Sequence, residues 1–303
     1  MTPTAVILIV LSAGMHATWN LLSKRRRPSS GYFLLANVAG AVLLSPFLYL
    51  YRAVLPHLAG PVLALLAITG LFQATYYGGL GRAYRAGDIS VAYPLARSSP
   101  VLLVTAVTLL LGRGHQVSGQ CVLGIGLVVA GCFLIPMRHF TDLRLSNYLN
   151  PTCGFALVAA CGTAGYSLID DQALRTLRAS PALTAGGVIG LTLIYACFEA
   201  ISSTLWLIAM NLFRPASRRQ LLTYLKTDRL GLLVAGAMIY ATYALVLIAM
   251  AYATNVSYVV AFRQLSIPLG ALLGITLLRE PAHRPKLAGV VVVFAGLVLV
   301  GTG

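Results

Sequence analysis

Two arginines lie inside long apolar stretches, where a charged side chain is costly. Arg97 stands in the run 89-ISVAYPLARSSPVLLVTAVTLLL-111, and Arg263 stands in 256-VSYVVAFRQLSIPLGALLGITLL-278. A guanidinium at mid-membrane costs about 2.5–3.5 kcal/mol on insertion scales, so both side chains are expected to face a protein interior or a wet cavity. A guanidinium is also a planar fork of donors that matches carboxylate or phosphate oxygens. The two arginines therefore predict a binding site for an anionic group.

Residues beside these arginines are assigned to the same site. Gln264 directly follows Arg263. Prolines 94, 100 and 268 lie in the two runs. Because proline removes a backbone N–H and crowds the preceding turn, these prolines are expected to break the helical ladder and expose backbone groups to a ligand.

Further polar residues in apolar runs complete the predicted substrate site. His16 and Asn20 are four apart and share a helix face with Trp19. Hydrogen bonding between helices is the alternative reading, and it is slightly favoured for Asn20. Tyr76 and Tyr243 lie well inside their segments, so they are predicted to be aromatic cavity walls rather than members of an interfacial belt.

Acidic residues are scarce in this chain. Glu199 lies deep in an apolar run and is expected to contact a basic or hydrogen-bonding partner. A salt bridge to the arginines is one such contact, but a single acid leaves a positive surplus. Glu199 and His16 are the candidates for carrying a coupling proton. Asp88 and the pair 170-DD-171 are predicted to be solvated charges at helix ends, with gating ion pairs as the alternative.

Composition indicates the setting of these residues. The chain has 303 residues, of which 58% are hydrophobic and 10% charged, and its mean hydropathy is +0.85. Soluble domains carry about 25% charged residues. A helical span needs roughly 20 apolar residues, and ten such spans fit the sequence. They cover about 4–22, 31–51, 59–81, 89–111, 117–136, 152–169, 185–212, 230–252, 256–278 and 286–302. The predicted fold class is an all-α membrane protein with ten transmembrane helices.

Other function classes lack sequence support. The net charge of +15 comes from Lys and Arg clustered between the spans, where they anchor a chain against anionic lipid, so no nucleic-acid partner is predicted. The five cysteines and five histidines show no metal-ligand spacing. There is no phosphate-cradling glycine motif and no convincing catalytic set. The sequence therefore predicts no metal, no cofactor and no enzymatic activity.

The chain contains two copies of one unit. Short matches recur at separations of 165 to 168 residues, and they include 74-ATY-76 with 241-ATY-243, 108-TLL-110 with 276-TLL-278, and Gly124 and Gly131 with Gly289 and Gly296. The repeats are predicted to cover 1–140 and 150–303. Each holds five spans, and because five is odd, the second copy enters the membrane from the opposite side.

Charge bias predicts the orientation. Loops after spans 1, 3, 5, 7 and 9 carry 16 Lys and Arg residues, whereas the alternate loops carry 4. The positive-inside rule places the first set, including 24-KRRR-27, in the cytoplasm. Both termini are then expected to face outward from a plasma (inner) membrane.

The sequence resembles the EamA-type branch of the drug/metabolite transporter superfamily. The resemblance rests on HATWNLLSK at 16–24, AYRAGDISVAYPLAR at 83–97, the two G-x6-G pairs and LLREP at 277–281. The turn matching LLREP in the first half, LLLGRGH, has no glutamate. The resemblance implies a 5+5 basket of two inverted five-helix repeats with a central cavity, in a superfamily that moves small metabolites or drugs.

The functional hypothesis is a secondary transporter that works by alternating access. Two arginines favour a small organic anion or zwitterion, such as an amino acid, carboxylate, phosphonate or phosphorylated metabolite. A flippase for a lipid with an anionic head group and a non-transporting membrane scaffold are the alternatives. The expected partners are the small-molecule substrate and the lipid bilayer, with monomer and homodimer both left open.

Overall fold

A computed structural model describes residues 1–23, 29–58, 60–86, 89–114, 117–142, 149–212, 215–277, 279 and 281–302. Within these ranges, only the backbone is described at residues 19–23, 84, 89–95, 113, 212 and 215–219. The described chain is helical almost throughout and contains no β-strand. The predicted all-α class is therefore confirmed for this part of the molecule.

Twelve α-helices follow one another along the described chain. Those before residue 140 are α1 (Pro3–Ser23), α2 (Ser30–Leu50), α3 (Gly60–Ala86), α4 (Ile89–Thr108) and α5 (Gly119–Leu134). Those after it are α6 (Pro151–Arg178), α7 (Ala182–Leu212), α8 (Pro215–Thr227), α9 (Arg229–Ala249), α10 (Val256–Phe262), α11 (Ser266–Leu277) and α12 (Arg284–Thr302). Short 3₁₀ turns occupy Arg52–His57, Phe140–Asp142, Met250–Tyr252 and Arg263–Leu265, and a π-helical turn occupies Leu109–Arg113.

In the described part of the chain, seven helical segments are long and apolar enough to cross a membrane. They are Ser30–Leu50, Gly60–Ala83, Pro151–Arg178, Ala182–Asn211, Arg229–Tyr252, Val256–Leu277 and Arg284–Thr302. Three shorter apolar helices cover Pro3–Thr18, Ala96–Gly112 and Gly119–Leu134. The chain is thus a multi-pass helical membrane protein.

The end of α6 corrects one prediction. The sixth span was expected to end at 169, but the helix continues to Arg178 and carries Asp170 and Asp171 inside the protein, 0% and 3% exposed. Asp171 is paired with Arg175 at 2.8 Å, one helical turn further on. These acids are therefore not solvated charges at a helix end, because hydroxyl and guanidinium donors replace the water that they lose. Asp88 lies outside the described residues.

Helix α8 lies in a loop where no helix was predicted. Its sequence, PASRRQLLTYLKT, mixes basic residues with leucines. Leu222 and Leu225 are 60% and 42% exposed, although they are large apolar side chains. A short helix with basic residues and exposed leucines is typical of a segment that lies in the membrane interface.

Close glycine contacts hold α5 against α12. A Cβ atom on Gly124 would lie 2.7 Å from the carbonyl oxygen of Gly296, and one on Gly131 would lie 2.8 Å from that of Gly289. Reciprocally, a Cβ on Gly296 or Gly289 would meet the carbonyl of Gly124 or Gly131 at the same distances. Since only glycine lacks this atom, the two backbones approach as closely as small residues permit in membranes.

The other helix pairs position the interior. Helix α2 packs against α7, α3 against α6 and α7, and α1 and α2 against α9. Helix α4 packs against α6, and α1 packs against α11. The middle of the bundle is therefore bordered by α1, α3, α4, α6, α7 and α9 together with the chain that leads into α11.

A change from α-helical to 3₁₀ hydrogen bonding, called the helix break below, separates α10 from α11 within one helical segment. The 3₁₀ turn Arg263–Leu265 lies between them, and Pro268 follows in the first turn of α11. Pro268 cannot donate to the carbonyl four residues earlier, that of Gln264, and its ring crowds that group. The predicted interruption is confirmed at Pro268. It is wrong at Pro94 and Pro100, where α4 continues without a break, as membrane helices with packed neighbours tolerate.

Candidate functional site

A small polar cavity lies between α1, α4, α9 and the 3₁₀ turn at Arg263. It has room for little more than a water molecule. Its lining consists of Ser12, Ala13, His16, Arg97, Thr242 and Arg263. Three residues predicted from the sequence, His16, Arg97 and Arg263, therefore meet at one place although they lie on three separate segments.

Arg97 is held by the broken segment that carries Arg263. Its Nη2 donates to Ser266 Oγ at 2.6 Å, and Ser266 Oγ donates in turn to the Arg263 carbonyl at 3.1 Å. The Arg97 Nε is buried and has no hydrogen-bond partner among the described residues. One edge of this guanidinium is thus oriented by protein, while Nε keeps an unused donor.

Arg263 is held by aromatic rings rather than by an acid. Its guanidinium carbon lies 5.2 Å from the centroid of the Tyr243 ring, which is within the range of a cation–π contact. Tyr166 lies beside the same guanidinium. The buried Nη1 has no hydrogen-bond partner among the described residues. Within the described chain, no ion pair joins Glu199 to Arg97 or Arg263, so the alternative of a direct salt bridge is wrong there.

Three residues that line the cavity have unused hydrogen-bonding atoms. Besides Arg97 Nε and Arg263 Nη1, the hydroxyl of Thr242 is buried without a partner in the described part of the chain. Ser12 Oγ, by contrast, donates to the Thr242 carbonyl at 2.8 Å. Unsatisfied buried donors are costly, and each calls for an explanation such as a ligand or water. Two guanidinium donors and a hydroxyl suit an anionic group with several acceptor oxygens.

Glu199 lies deeper in the bundle, fully buried on α7. Gln73 Nε2 donates to Glu199 Oε1 in a short contact, so the expected hydrogen-bonding partner is confirmed. The second oxygen, Oε2, receives no donor among the described residues. The Glu199 and Asp170 carboxyl groups lie close enough to influence each other electrostatically.

Asp170 is the functional candidate that the sequence analysis missed. It is 0% exposed. Thr69 Oγ1 and the Tyr195 hydroxyl donate to its Oδ1 at 2.6 and 2.8 Å, and the Tyr243 hydroxyl donates to Oδ2 in a short contact. Three helices, α3, α7 and α9, therefore supply the donors that hold one carboxylate on α6.

Tyr243 connects the carboxyl pair to the cavity. Its hydroxyl contacts Asp170, while its ring lies against the Arg263 guanidinium. Behind it, an aromatic row continues through Tyr166 at 5.4 Å and Tyr76 at 6.0 Å between ring centroids. Tyr243 thus joins Asp170 to an arginine of the cavity, although Tyr243 itself, which was predicted to be a cavity wall, is not part of the cavity lining.

The remaining predicted site residues lie elsewhere. Gln264 is 4% exposed, and its Nε2 donates to the Val260 carbonyl of its own helix at 3.1 Å, away from the cavity lining. Its place in a 3₁₀ turn directs it to a different side from Arg263. Tyr76 belongs to the aromatic row and does not line the cavity. The side chains of Trp19 and Asn20 lie outside the described part of the chain.

A second buried polar cluster has no acid. The Tyr240 hydroxyl and Ser203 Oγ both donate to Asn37 Oδ1, the latter at 2.9 Å, and Asn37 Nδ2 donates to the Phe33 carbonyl at 2.8 Å. These bonds join α2, α7 and α9. Tyr240 is thus a buried tyrosine on the same helix as Tyr243 that bonds an amide instead of a carboxylate.

Comparisons with known proteins establish the fold alone. No family model and no curated protein matches the chain. A solved structure described as "Crystal structure of protein" is 18% identical, covers 99% of both chains and superposes with a TM-score of 0.67. At that identity the likeness shows that the whole chain has an experimentally observed fold. The resemblance to EamA-type transporters stays a prediction.

Proposed function

We propose that this protein is a secondary transporter of a small organic anion or zwitterion that works by alternating access. The substrate class comprises amino acids, carboxylates, phosphonates and phosphorylated metabolites. One observation carries the proposal. Arg97 and Arg263 line a single cavity, and each keeps a buried donor without a partner among the described residues. Cationic side chains inside a membrane protein are costly, so they usually mark a ligand-binding site or an ion pathway.

The inverted repeat is part of this proposal, and helix pairing supports it. If residues 150–303 repeat 1–140, then α1–α5 correspond to α6, α7, α9, α10–α11 and α12. The pairing of α3 with α6 then has its counterpart in α9 with α1, and that of α4 with α6 in α11 with α1. Gly124 meets Gly296, and Gly131 meets Gly289, which is the reciprocal pattern of a two-fold axis.

The narrowness of the cavity supports alternation between states. A carboxylate or phosphonate does not fit a space of about one water molecule, so α1, α4, α9 and the turn at Arg263 must separate to admit it. Inverted repeats provide such a movement, because one repeat rocks against the other around a fixed site. The 3₁₀ turn beside Arg263 supplies backbone whose α-helical hydrogen-bond pattern is already interrupted.

Uptake into liposomes tests the proposal. The purified protein is reconstituted, and labelled amino acids, dicarboxylates, phosphonates and sugar phosphates are added one at a time, with a neutral sugar and a fluorescent phospholipid as further arms. We expect uptake of at least one anion or zwitterion, and its loss in the variant carrying both Arg97→Ala and Arg263→Ala. Movement of the phospholipid alone would instead indicate a flippase. If nothing moves, the scaffold alternative stands.

A further inference from the structure

We propose that Asp170 and Glu199 form a proton-binding site, and that this proton is carried together with the anionic substrate. The coupling half of this inference rests on the proposed transport function. The site itself rests on the contacts around two carboxyl groups that the cavity does not contain.

The hydrogen bonds identify Asp170 as the ionised member of the pair. Three hydroxyl groups, those of Thr69, Tyr195 and Tyr243, point at its two oxygens. An ionised carboxylate only accepts hydrogen bonds, and three donors compensate well for the water that it has lost. Such bonds favour the charged form of the group that accepts them.

The same reasoning places a proton on Glu199. Its Oε1 accepts from Gln73, but its buried Oε2 receives no donor in the described chain. An ionised Oε2 would be an unsatisfied buried charge beside the Asp170 carboxylate. Two adjacent carboxylates cannot both be ionised at a dry site, as the shared proton of aspartic protease dyads illustrates. A proton on Oε2 that is donated to Asp170 removes both the unsatisfied charge and the repulsion between two carboxylates.

Other titratable groups border the pair on every side. The tyrosines among them are neutral, and Asp171 is paired with Arg175. Arg263 is the cation that acts on Glu199. The bordering groups are Tyr77 on α3, Asp171 on α6, Tyr195 on α7, Tyr240 and Tyr243 on α9, and Arg263 on the 3₁₀ turn.

Arg263 links the proton to the substrate. While the cavity holds no anion, the guanidinium charge favours loss of the proton from the pair. An anion bound at Arg263 cancels that charge, so the pair holds its proton more firmly. By thermodynamic reciprocity, the protonated pair also raises the affinity for the anion. Anion and proton therefore bind together and cross the membrane in the same direction.

Infrared titration of the purified protein tests the site without any substrate. The C=O stretch of a protonated carboxyl group is separate from the carboxylate bands. We expect a protonated-carboxyl band that titrates in the parent protein and disappears in Glu199→Gln, whose amide keeps a neutral donor at the same position. Arg263→Gln should retain the band to a more alkaline pH than the parent, and Arg97→Gln should shift it less. Absence of the band in the parent, or its persistence in Glu199→Gln, overturns the site.

Asp142 provides the matched control. It lies in the 3₁₀ turn after α5, outside the spanning helices, and the backbone N–H groups of His139 and Arg138 donate to its Oδ2 at 2.9 Å. These two bonds lower the pKa of the Asp142 carboxyl from its ordinary value. Asp142→Asn should therefore leave the protonated-carboxyl band unchanged.

Thermal unfolding and size exclusion identify any variant that fails to fold. If Glu199→Gln does not fold, Asp170→Asn provides a second substitution in the pair. An unchanged titration of the band in Asp170→Asn also counts against the site.

A pH-sensitive dye inside the liposomes tests the coupling. Each anion or zwitterion of the uptake panel that enters should acidify the lumen in the parent and not in Glu199→Gln. If a solute enters without acidification while the band is present, the site stands and coupling is wrong. If no solute enters while the band is present, the transport proposal and coupling fall together, and the site stands alone.

Discussion

The α4 segment around Arg97 and the α10–α11 segment around Arg263 come from related places in the sequence, yet they treat their arginines differently. Around Arg97 the helix is continuous, and the guanidinium donates to a serine of the other segment. Around Arg263 the helix is broken, and the guanidinium lies against Tyr243, whose hydroxyl reaches a buried acid. Arg97 is positioned by a serine hydroxyl, whereas Arg263 is connected through Tyr243 to the Asp170 carboxylate.

If residues 150–303 repeat 1–140, as we propose, the difference shows how a duplicated unit becomes asymmetric. Arg97 Nη2, Ser266 Oγ and the Arg263 carbonyl form one chain of hydrogen bonds, so the two arginines share a single support. Only Arg263 is linked through Tyr243 to Asp170 and Glu199. We therefore infer that Arg97 contributes affinity for the anion, whereas Arg263 contributes both affinity and proton linkage.

Single alanine substitutions have the largest expected effects on this comparison. Arg263→Ala removes one charged contact and the cation that acts on Glu199. A charged hydrogen bond is worth about 1.5–3 kcal/mol, or roughly 10- to 150-fold in affinity. We expect a loss within that range, together with loss of the pH dependence of uptake. Initial uptake rates of a transported anion, measured across a pH series, provide the test.

Arg97→Ala is the counterpart of that substitution. It should lower the affinity for the same anion by about 10-fold or more. The pH dependence of uptake should stay that of the parent protein. Arg97→Lys keeps the charge without the planar fork, so its loss should be smaller. Equal pH profiles for Arg97→Ala and Arg263→Ala would show that the two arginines do the same work and would remove the asymmetry.

Tyr243→Phe and Tyr240→Phe compare two buried tyrosines of α9. Each change removes one hydroxyl, so each is expected to lower the free energy of unfolding by about 0.5–1.5 kcal/mol, with about 1–3 kcal/mol more where an acceptor is left unsatisfied. Only Tyr243 bonds an acid, whereas Tyr240 bonds Asn37. The Tyr243 variant should therefore change the pH dependence of uptake as well as the melting temperature, and the Tyr240 variant should change the melting temperature alone.

The sequence predicts the elements of this site better than its contacts. Long apolar runs predict most helix boundaries to within a few residues, because the bilayer demands apolar side chains along the whole length. The exception is α6, which continues past the predicted end at 169 to Arg178. Asp170 was missed because an apolar run ends, by that criterion, at its first carboxylate. The sequence does contain a signal that α6 continues beyond 169, because Tyr166, Asp170, Ala173 and Leu177 recur at helical spacing. In the structure all four side chains are buried.

The partners of Asp170 could not be predicted from the sequence. Thr69, Tyr195 and Tyr243 are remote along the chain and meet only when α3, α7 and α9 pack around α6. Gln264 lies outside the cavity lining for the opposite reason. It is adjacent to Arg263 in sequence, but neighbouring residues of a helical turn point in different directions, so adjacency does not place both side chains in one cavity.

Proline substitutions are expected to have the smallest effects. They test how the backbone beside Arg97 and beside Arg263 contributes to the difference between the two segments. Pro268→Ala restores an N–H group that can donate to the Gln264 carbonyl, so the 3₁₀ turn at Arg263–Leu265 should shift toward continuous helix and move the Arg263 carbonyl away from Ser266 Oγ. Because that hydroxyl also receives the bond from Arg97, anion affinity should fall by a few-fold at most.

Pro100→Ala is the matched control, since α4 is already continuous at that position. Hydrogen exchange of the α10–α11 backbone should slow in Pro268→Ala, and exchange of α4 should change little in Pro100→Ala. If both variants keep the affinity and exchange pattern of the parent, the break beside Arg263 does not position either arginine.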